Sequence, residues 1–294
     1  MTRDTTTARR WRRWGAAAAA LVALGGGFVA AGGCKHTVAP RETLTSDEVR
    51  TATAFPFQDY DAIVHQYVDT EGRVNYQALR RNRAPLDRFL AFVAQAGPAS
   101  RADLFPTENH RKAYFVAAYN ATVFRNVIDR GPINNIDDNK VSFFYGTRFV
   151  INGREINLVD LENEIIRPTF HDPRLHFALN CASGGCPRLP NEAFVPDRIE
   201  EQLEREARRF CNEERNVRPV TAERKIYLSH IFDWYAQDFV DYENAHGHQG
   251  GDRVTFINRY RDAEHQLPRD FEVEFVDYDW TINAQAAAGQ PPSS

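Results

Sequence analysis

The chain's patterning predicts an α+β fold, a mostly helical single domain with a small, largely antiparallel sheet. Three observations carry this. Amphipathic stretches of helical period outnumber strand-like ones. The two kinds do not alternate regularly, as they would in a doubly wound parallel sheet. One Asn-Gly dipeptide, Asn152-Gly153, sits between short runs rich in β-branched and aromatic residues, the signature of a type I′ hairpin.

Helical patterning begins at Tyr60 to Tyr67, with Ile63, Val64 and Tyr67 on one face. Asp69 to Gly72 turns the chain, and Pro85 to Ala96 repeats the pattern with Leu86, Phe89, Leu90 and Val93. The longest helix runs from Glu108 to Asp129. Its apolar positions cover much of its circumference, which predicts a central place in the core, and Gly131-Pro132 stops it. The hairpin over Arg148 to Asn157 feeds a helix, Leu158 to Ile166, ended by Pro168. Leu175 to Leu179 has strand length. Asp197 to Cys211 reads as a charged amphipathic helix, Lys225 to Leu228 as a strand, Ile231 to Tyr242 and Val254 to Tyr260 as helices, and Phe271 to Tyr278 as a last strand.

The N-terminus sets the expected organisation. Five arginines within the first thirteen residues precede a charge-free run rich in Ala, Gly, Leu and Val, the layout of a signal peptide over residues 1–33. Ala31-Gly32-Gly33-Cys34 resembles the site at which bacterial lipoproteins are cut and diacylated. Cys34 is then the lipidated first residue, tethering the protein to the cell envelope through palmitate-type chains, facing the periplasm or exterior. Residues 34–55 read as a lipid-anchored linker, 56–283 as the globular domain, and 284–294, which lack core-forming side chains, as a disordered tail. Loss of residues 1–33 removes five arginines and one aspartate, taking the formal charge from −4 to −8. Such an acidic domain has no general footprint for nucleic acid.

The densest cluster of reactive residues is Asn180-Cys-Ala-Ser-Gly-Gly-Cys-Pro187. In an oxidising compartment Cys181 and Cys186 are close enough in sequence for a local disulfide. The alternative is a free Cys181 or Cys186 acting as nucleophile with His176 as its base and Asn120 as a further catalytic-site residue. Cys211 reads as a buried thiol. Candidate binding residues are Asn180, Arg188, Trp234, Tyr235 and Asp238, the aromatic ones because their rings offer apolar faces with polar tips to a sugar or peptide. With Phe239, Tyr278 and Trp280 they line a groove or pack in the core, and Trp234, amid contiguous apolar positions, is expected in the core. Asp238, Asp277 and Asp279 form a group if the last helix and strand meet, and otherwise serve caps and turns. The spacing of His176, Cys181 and Cys186 suits no structural metal site, and no cofactor motif, Gly-x-Ser-x-Gly elbow or His-Glu-x-x-His run is present.

Five ordered segments carry a resemblance: Tyr67 to Tyr76, Tyr114 to Asn120, Asp172 to Cys181 running on to Cys186-Pro187, Ile226 to Tyr235 with Asp238-Phe239, and Val276 to Asn283. In these the chain resembles the domain-of-unknown-function family 547, found in bacterial lipoproteins and secreted proteins. It departs from that pattern at Phe115-Val-Ala-Ala, where the family has a Trp-Ile-Asn-type run, and at His230, where it commonly has Lys. The resemblance implies a domain and an envelope location and names no activity. The expectation is therefore a binding or assembly module that meets an envelope protein or peptide, with a thiol-dependent hydrolase or transferase as the alternative.

Overall fold

The computed structural model describes residues 36–286, so the expected signal segment over 1–33, the expected lipidation site at Cys34 and residues 287–294 lie outside the described residues. Eleven helices and six strands form the α+β fold among them. Four helices come first: α1 (Ser46–Thr51), α2 (Phe57–Tyr67), α3 (Tyr76–Arg81) and α4 (Ala84–Gln95). The last three pack on α5 (Glu108–Arg130). The Thr107 side chain accepts the His110 N–H to start α5, and Gly131, at φ 99°, ends it. Every residue from Lys112 to Ile128 is buried, so α5 is the axis of the larger core, as its all-round apolar pattern predicts. Phe89, Tyr114, Phe124 and Phe143 fill that core.

The single, largely antiparallel sheet expected from the sequence is instead two three-stranded sheets, each with one parallel and one antiparallel pairing. In the first, β1 (His36–Val38) pairs parallel with β2 (Thr147–Ile151), and β2 pairs antiparallel with β3 (Arg154–Ile156). Asn152 and Gly153 turn the hairpin at φ 53° and φ 73°, the two positive dihedrals that a type I′ loop requires. In the second, β4 (Val217–Val220) pairs antiparallel with β5 (Lys225–Leu228), which pairs parallel with β6 (Glu272–Phe275). Parallel partners are remote in sequence, and hairpin signals see only neighbours.

Local readings are corrected in five places. Residues 36–55, expected as a linker, are seated on the domain: β1 joins the first sheet, Leu44 and Phe55 are buried, and a Thr45–Glu48 capping box starts α1. The apolar run at Leu175 is no strand but part of a 3₁₀ turn over Pro173–Phe177, started by Asp172, whose carboxylate accepts the Arg174 N–H. A short apolar run does not distinguish the two. Pro168 does not end the helix after the hairpin. A turn of α6 (Leu158–Asp160) runs through a π-helical stretch (Leu161–Ile166) into α7 (Arg167–Phe170), where Pro168 sits in a first turn that needs no N–H from it. The predicted tail is tied down at its start, with Gln285 N donating to Val74 O at 3.0 Å.

The fifth correction bears on the site. After α8 (Ile199–Asn212), the predicted helix from Ile231 to Tyr242 breaks at Tyr235 into α9 (Ile231–Trp234) and α10 (Ala236–Ala245). The break turns Trp234 outward, 43% exposed, where contiguous apolar patterning placed it in the core. The second core is built below it from Phe177, Phe210, Phe232, Phe239 and, on α11 (Arg253–Arg259), Phe256. No helix of the described residues is long and apolar enough to cross a membrane.

Candidate functional site

Two of the other motif segments, through Asn120 and through Tyr278 to Asn283, meet the loop from Asn180 to Pro187, and Tyr76 in a third bonds Asn283. Asn120, buried on α5, donates to Ala178 O at 2.9 Å and accepts the Asn180 N–H at 2.9 Å, so one amide side chain fixes the entry to the loop. Asn180 donates to Pro187 O at 2.9 Å and accepts the Ala182 N–H at 2.9 Å, clamping exit to entry. Asn283 approaches Asn180 Oδ1 at 3.2 Å and accepts the Tyr76 hydroxyl at 2.8 Å. The C-terminal segment lies along the loop like an added strand: Gly184 N donates to Thr281 O and Gly185 N to Asp279 O, both at 2.7 Å, and Asn283 N donates to Ala182 O at 2.9 Å. This contact explains the glycines. A Cβ on Gly185 would stand 2.8 Å from the Tyr278 ring, and one on Gly184 would collide with the Asp279 carboxylate.

Within the loop the sulfurs of Cys181 and Cys186 are at disulfide distance. A bridge that closes so few residues contributes less than about 3 kcal/mol in the chain-entropy account. Ala182 is held at φ 66°, a left-handed conformation that costs a non-glycine residue about 1 kcal/mol. Cys186 is buried and Cys181 half-buried. The Cys181 N–H points at Cys186 Sγ at 2.9 Å. The Tyr278 hydroxyl lies 3.3 Å from Cys186 Sγ and 3.4 Å from Cys181 Sγ, and the Ser183 hydroxyl 3.3 Å and 3.1 Å from the same atoms. Ser183 also donates to the Tyr278 oxygen at 3.1 Å, which leaves the phenol proton for sulfur. Burial pushes the Tyr278 phenol up, outweighing the Ser183 hydrogen bond, so it stays a donor. Arg215 caps the loop, donating to the carbonyls of Gly184 at 2.8 Å and Cys186 at 3.3 Å.

His176 comes from the 3₁₀ turn rather than from a strand, and its hydrogen-bond partner is not a cysteine. Nε2 meets Asp238 Oδ2 at 2.8 Å. Nδ1 faces Glu162 Oε1 at 3.5 Å, a charge contact too long for a good hydrogen bond. The imidazole stacks on Tyr235 at 3.8 Å. Burial works to lower its pKa, but hydrogen bonding and charge from Asp238 and Glu162 outweigh it and raise the value, which favours the charged ring between the two carboxylates. Asp238 also takes a bidentate pair from Arg167, both contacts at 2.7 Å, the strong planar geometry of a guanidinium on a carboxylate. Burial would raise the Asp238 carboxyl, and the His176 and Arg167 hydrogen bonds hold it well below the usual range. Beside this ionic cluster is a cavity of about 260 Å³ lined by Arg167, His171, His176, Asp238, Asp241 and His246 among others; neither cysteine lines it.

The other candidates are scattered. Arg188 reaches the Thr70 carbonyl at 3.0 Å and Glu71 at 3.3 Å, behind the loop. Asp279 accepts from the Thr281 N–H at 2.9 Å in a local turn and is not joined to Asp238. His248 pairs with Glu243 at 2.6 Å. Cys211 is fully buried, which pushes its thiol up. Among the described residues no group of three or more His, Cys, Asp or Glu could hold a metal.

One aromatic surface does form. Trp234, Tyr278 and Trp280 have ring centroids 4.5 Å to 5.9 Å apart. Lys140 Nζ stands 3.8 Å over the Trp280 ring, within the range of a cation–π contact. Sequence reasoning assigned no role to Ser183, Glu162, Arg167 or Arg215 and named Tyr278 only as a ring. Lone polar residues on charged or loop segments carry no periodic signal. The available pointers were that Ser183 lies in the loop richest in reactive residues and that Tyr278 lies inside a resembling segment.

Residues 105–211 match the model of a family described as protein of unknown function, DUF547. The match supports the resemblance read from the motifs and spans α5 through most of α8, with Asn120, His176, Cys181 and Cys186 inside it. No curated protein and no solved structure matches the chain.

Proposed function

We propose that this protein is an envelope-tethered binding module that engages an envelope protein or peptide through the face formed by Trp234, Tyr278 and Trp280. The observation that carries the reading is the exposure of Trp234 against two further rings. The break leaves a large apolar ring 43% exposed to water, a cost that covering it with a partner recovers. Rigid aromatic side chains lose little conformational entropy on binding and are the commonest anchors of protein interfaces. The Lys140 ammonium, which also pairs with Asp137 at 3.4 Å, sits over Trp280 at the edge of this face. The signal layout of residues 1–33 and the lipoprotein-like Cys34 support tethering at the envelope.

The thiol hydrolase reading finds less support, because a bridged sulfur is not a nucleophile and His176 is engaged with Asp238. A photo-crosslinking residue at position 234 in living cells tests the binding reading. A discrete adduct is expected there and none from position 47, an exposed site on α1. The same adducts from both positions, or none from 234, would count against it.

A further inference from the structure

The bridge between Cys181 and Cys186 has a setting that a purely structural staple does not need. The loop is also held by Asn120, Asn180 and three backbone hydrogen bonds to the C-terminal segment, none of which involves the bridge. The two sulfurs are unlike. Cys181 is half-buried at the surface, while Cys186 is 4% exposed and receives the Cys181 N–H; the Tyr278 hydroxyl lies within reach of both sulfurs. Two donors, the Cys181 N–H and the Tyr278 hydroxyl, reach Cys186 Sγ and suit a thiolate.

We propose that Cys181 and Cys186 are a dithiol–disulfide exchange pair, with Cys181 the attacked sulfur, Cys186 the leaving thiolate and the Tyr278 hydroxyl its stabiliser. The co-reactant is a dithiol on a partner protein. One partner thiolate attacks Cys181 Sγ; the bond to Cys186 breaks and its electron pair leaves on Cys186 Sγ, facing the Cys181 N–H and the Tyr278 hydroxyl. The second partner thiolate then attacks the partner sulfur of the mixed disulfide and releases Cys181 as a thiolate. The partner loses two electrons and two protons and becomes a disulfide, and this protein gains both. This chemistry does not depend on the aromatic face being a docking surface.

The test uses folded full-length protein at neutral pH, dithiothreitol as the dithiol, iodoacetamide quenching and peptide mapping. Cys181 and Cys186 should become alkylated while buried Cys211 stays unmodified and circular dichroism is unchanged. A bridge reduced only in denaturant, or only together with labelling of Cys211, overturns the proposal. Glutathione disulfide should trap a mixed disulfide on Cys181 in Cys186→Ser, whereas Cys186 in Cys181→Ser should stay largely unreacted; equal labelling of the two overturns the assignment of roles. Tyr278→Phe, which keeps the ring against Gly185, should slow reduction by about tenfold, the factor that one hydrogen bond to a charged group is worth; an unchanged rate overturns the role of the hydroxyl. Failure here leaves crosslinking at position 234 untouched, so the two readings fall separately.

Discussion

His176 shows how burial changes what a residue can be asked to do. Among the cysteines it would be a base; clamped between Asp238 and Glu162 it is part of an ion cluster. Replacing it with Ala removes a nearly buried charge and leaves Glu162 without that partner, so His176→Ala should lose about 2–4 kcal/mol in urea unfolding. The pH dependence follows from the direction of the shift. A folded-state pKa raised above the ordinary 6.5 means stabilisation fully present below about 6.5 and lost as pH rises through the folded value. The stability difference between wild type and His176→Gln should therefore be larger at pH 6 than at pH 9. A gap that is constant or widens with pH would show the ring to be neutral in the fold. Asp238 acts in the opposite sense: its depressed carboxyl contributes stability above about 3.8 that disappears on acidification.

At the level of elements, the cysteine loop and the C-terminal segment form one unit although they are a hundred residues apart. Gly185→Ala should cost about 1–3 kcal/mol, because its Cβ meets the Tyr278 ring and either ring or backbone has to move. Gly153→Ala serves as the comparison. Nothing lies within 4 Å of its Cβ, so only its positive φ of 73° matters. Its loss should stay near about 1 kcal/mol, the cost of a left-handed alanine. Urea midpoints of the two variants decide this, and equal losses would mean that the loop does not bear on Tyr278. The break at Tyr235 belongs to the same level. Apolar periodicity continues across it, which is why Trp234 reads as core from sequence; with Phe232 of α9 and Phe239 of α10 both taken into the second core, the ring between them is left outward.

For the whole molecule, the N-terminal arrangement sets an outcome that intact mass checks. Protein extracted from membranes should begin at Cys34 and carry acyl chains. A retained Met1 or an unmodified Cys34 would remove the tether from the functional reading. The described domain itself provides no spanning helix, so under this reading attachment rests on the acyl chains.

What the sequence by itself determined is local: the long axis helix α5 with its glycine stop, the Asn152-Gly153 hairpin, the α+β class, and the cysteine loop as the richest chemical segment. These follow from side-chain periodicity and turn geometry, which neighbouring residues decide among themselves. Tertiary structure decided whatever depends on remote partners. Parallel strands pair across more than a hundred residues in one sheet and more than forty in the other. The run at Leu175 became a 3₁₀ turn because Asp172 and Pro173 start one beneath the second core. His176 went to Asp238 and the sulfurs to Tyr278, since a buried charge requires a countercharge and a sulfur can use a donor, and neither need is expressed as spacing along the chain.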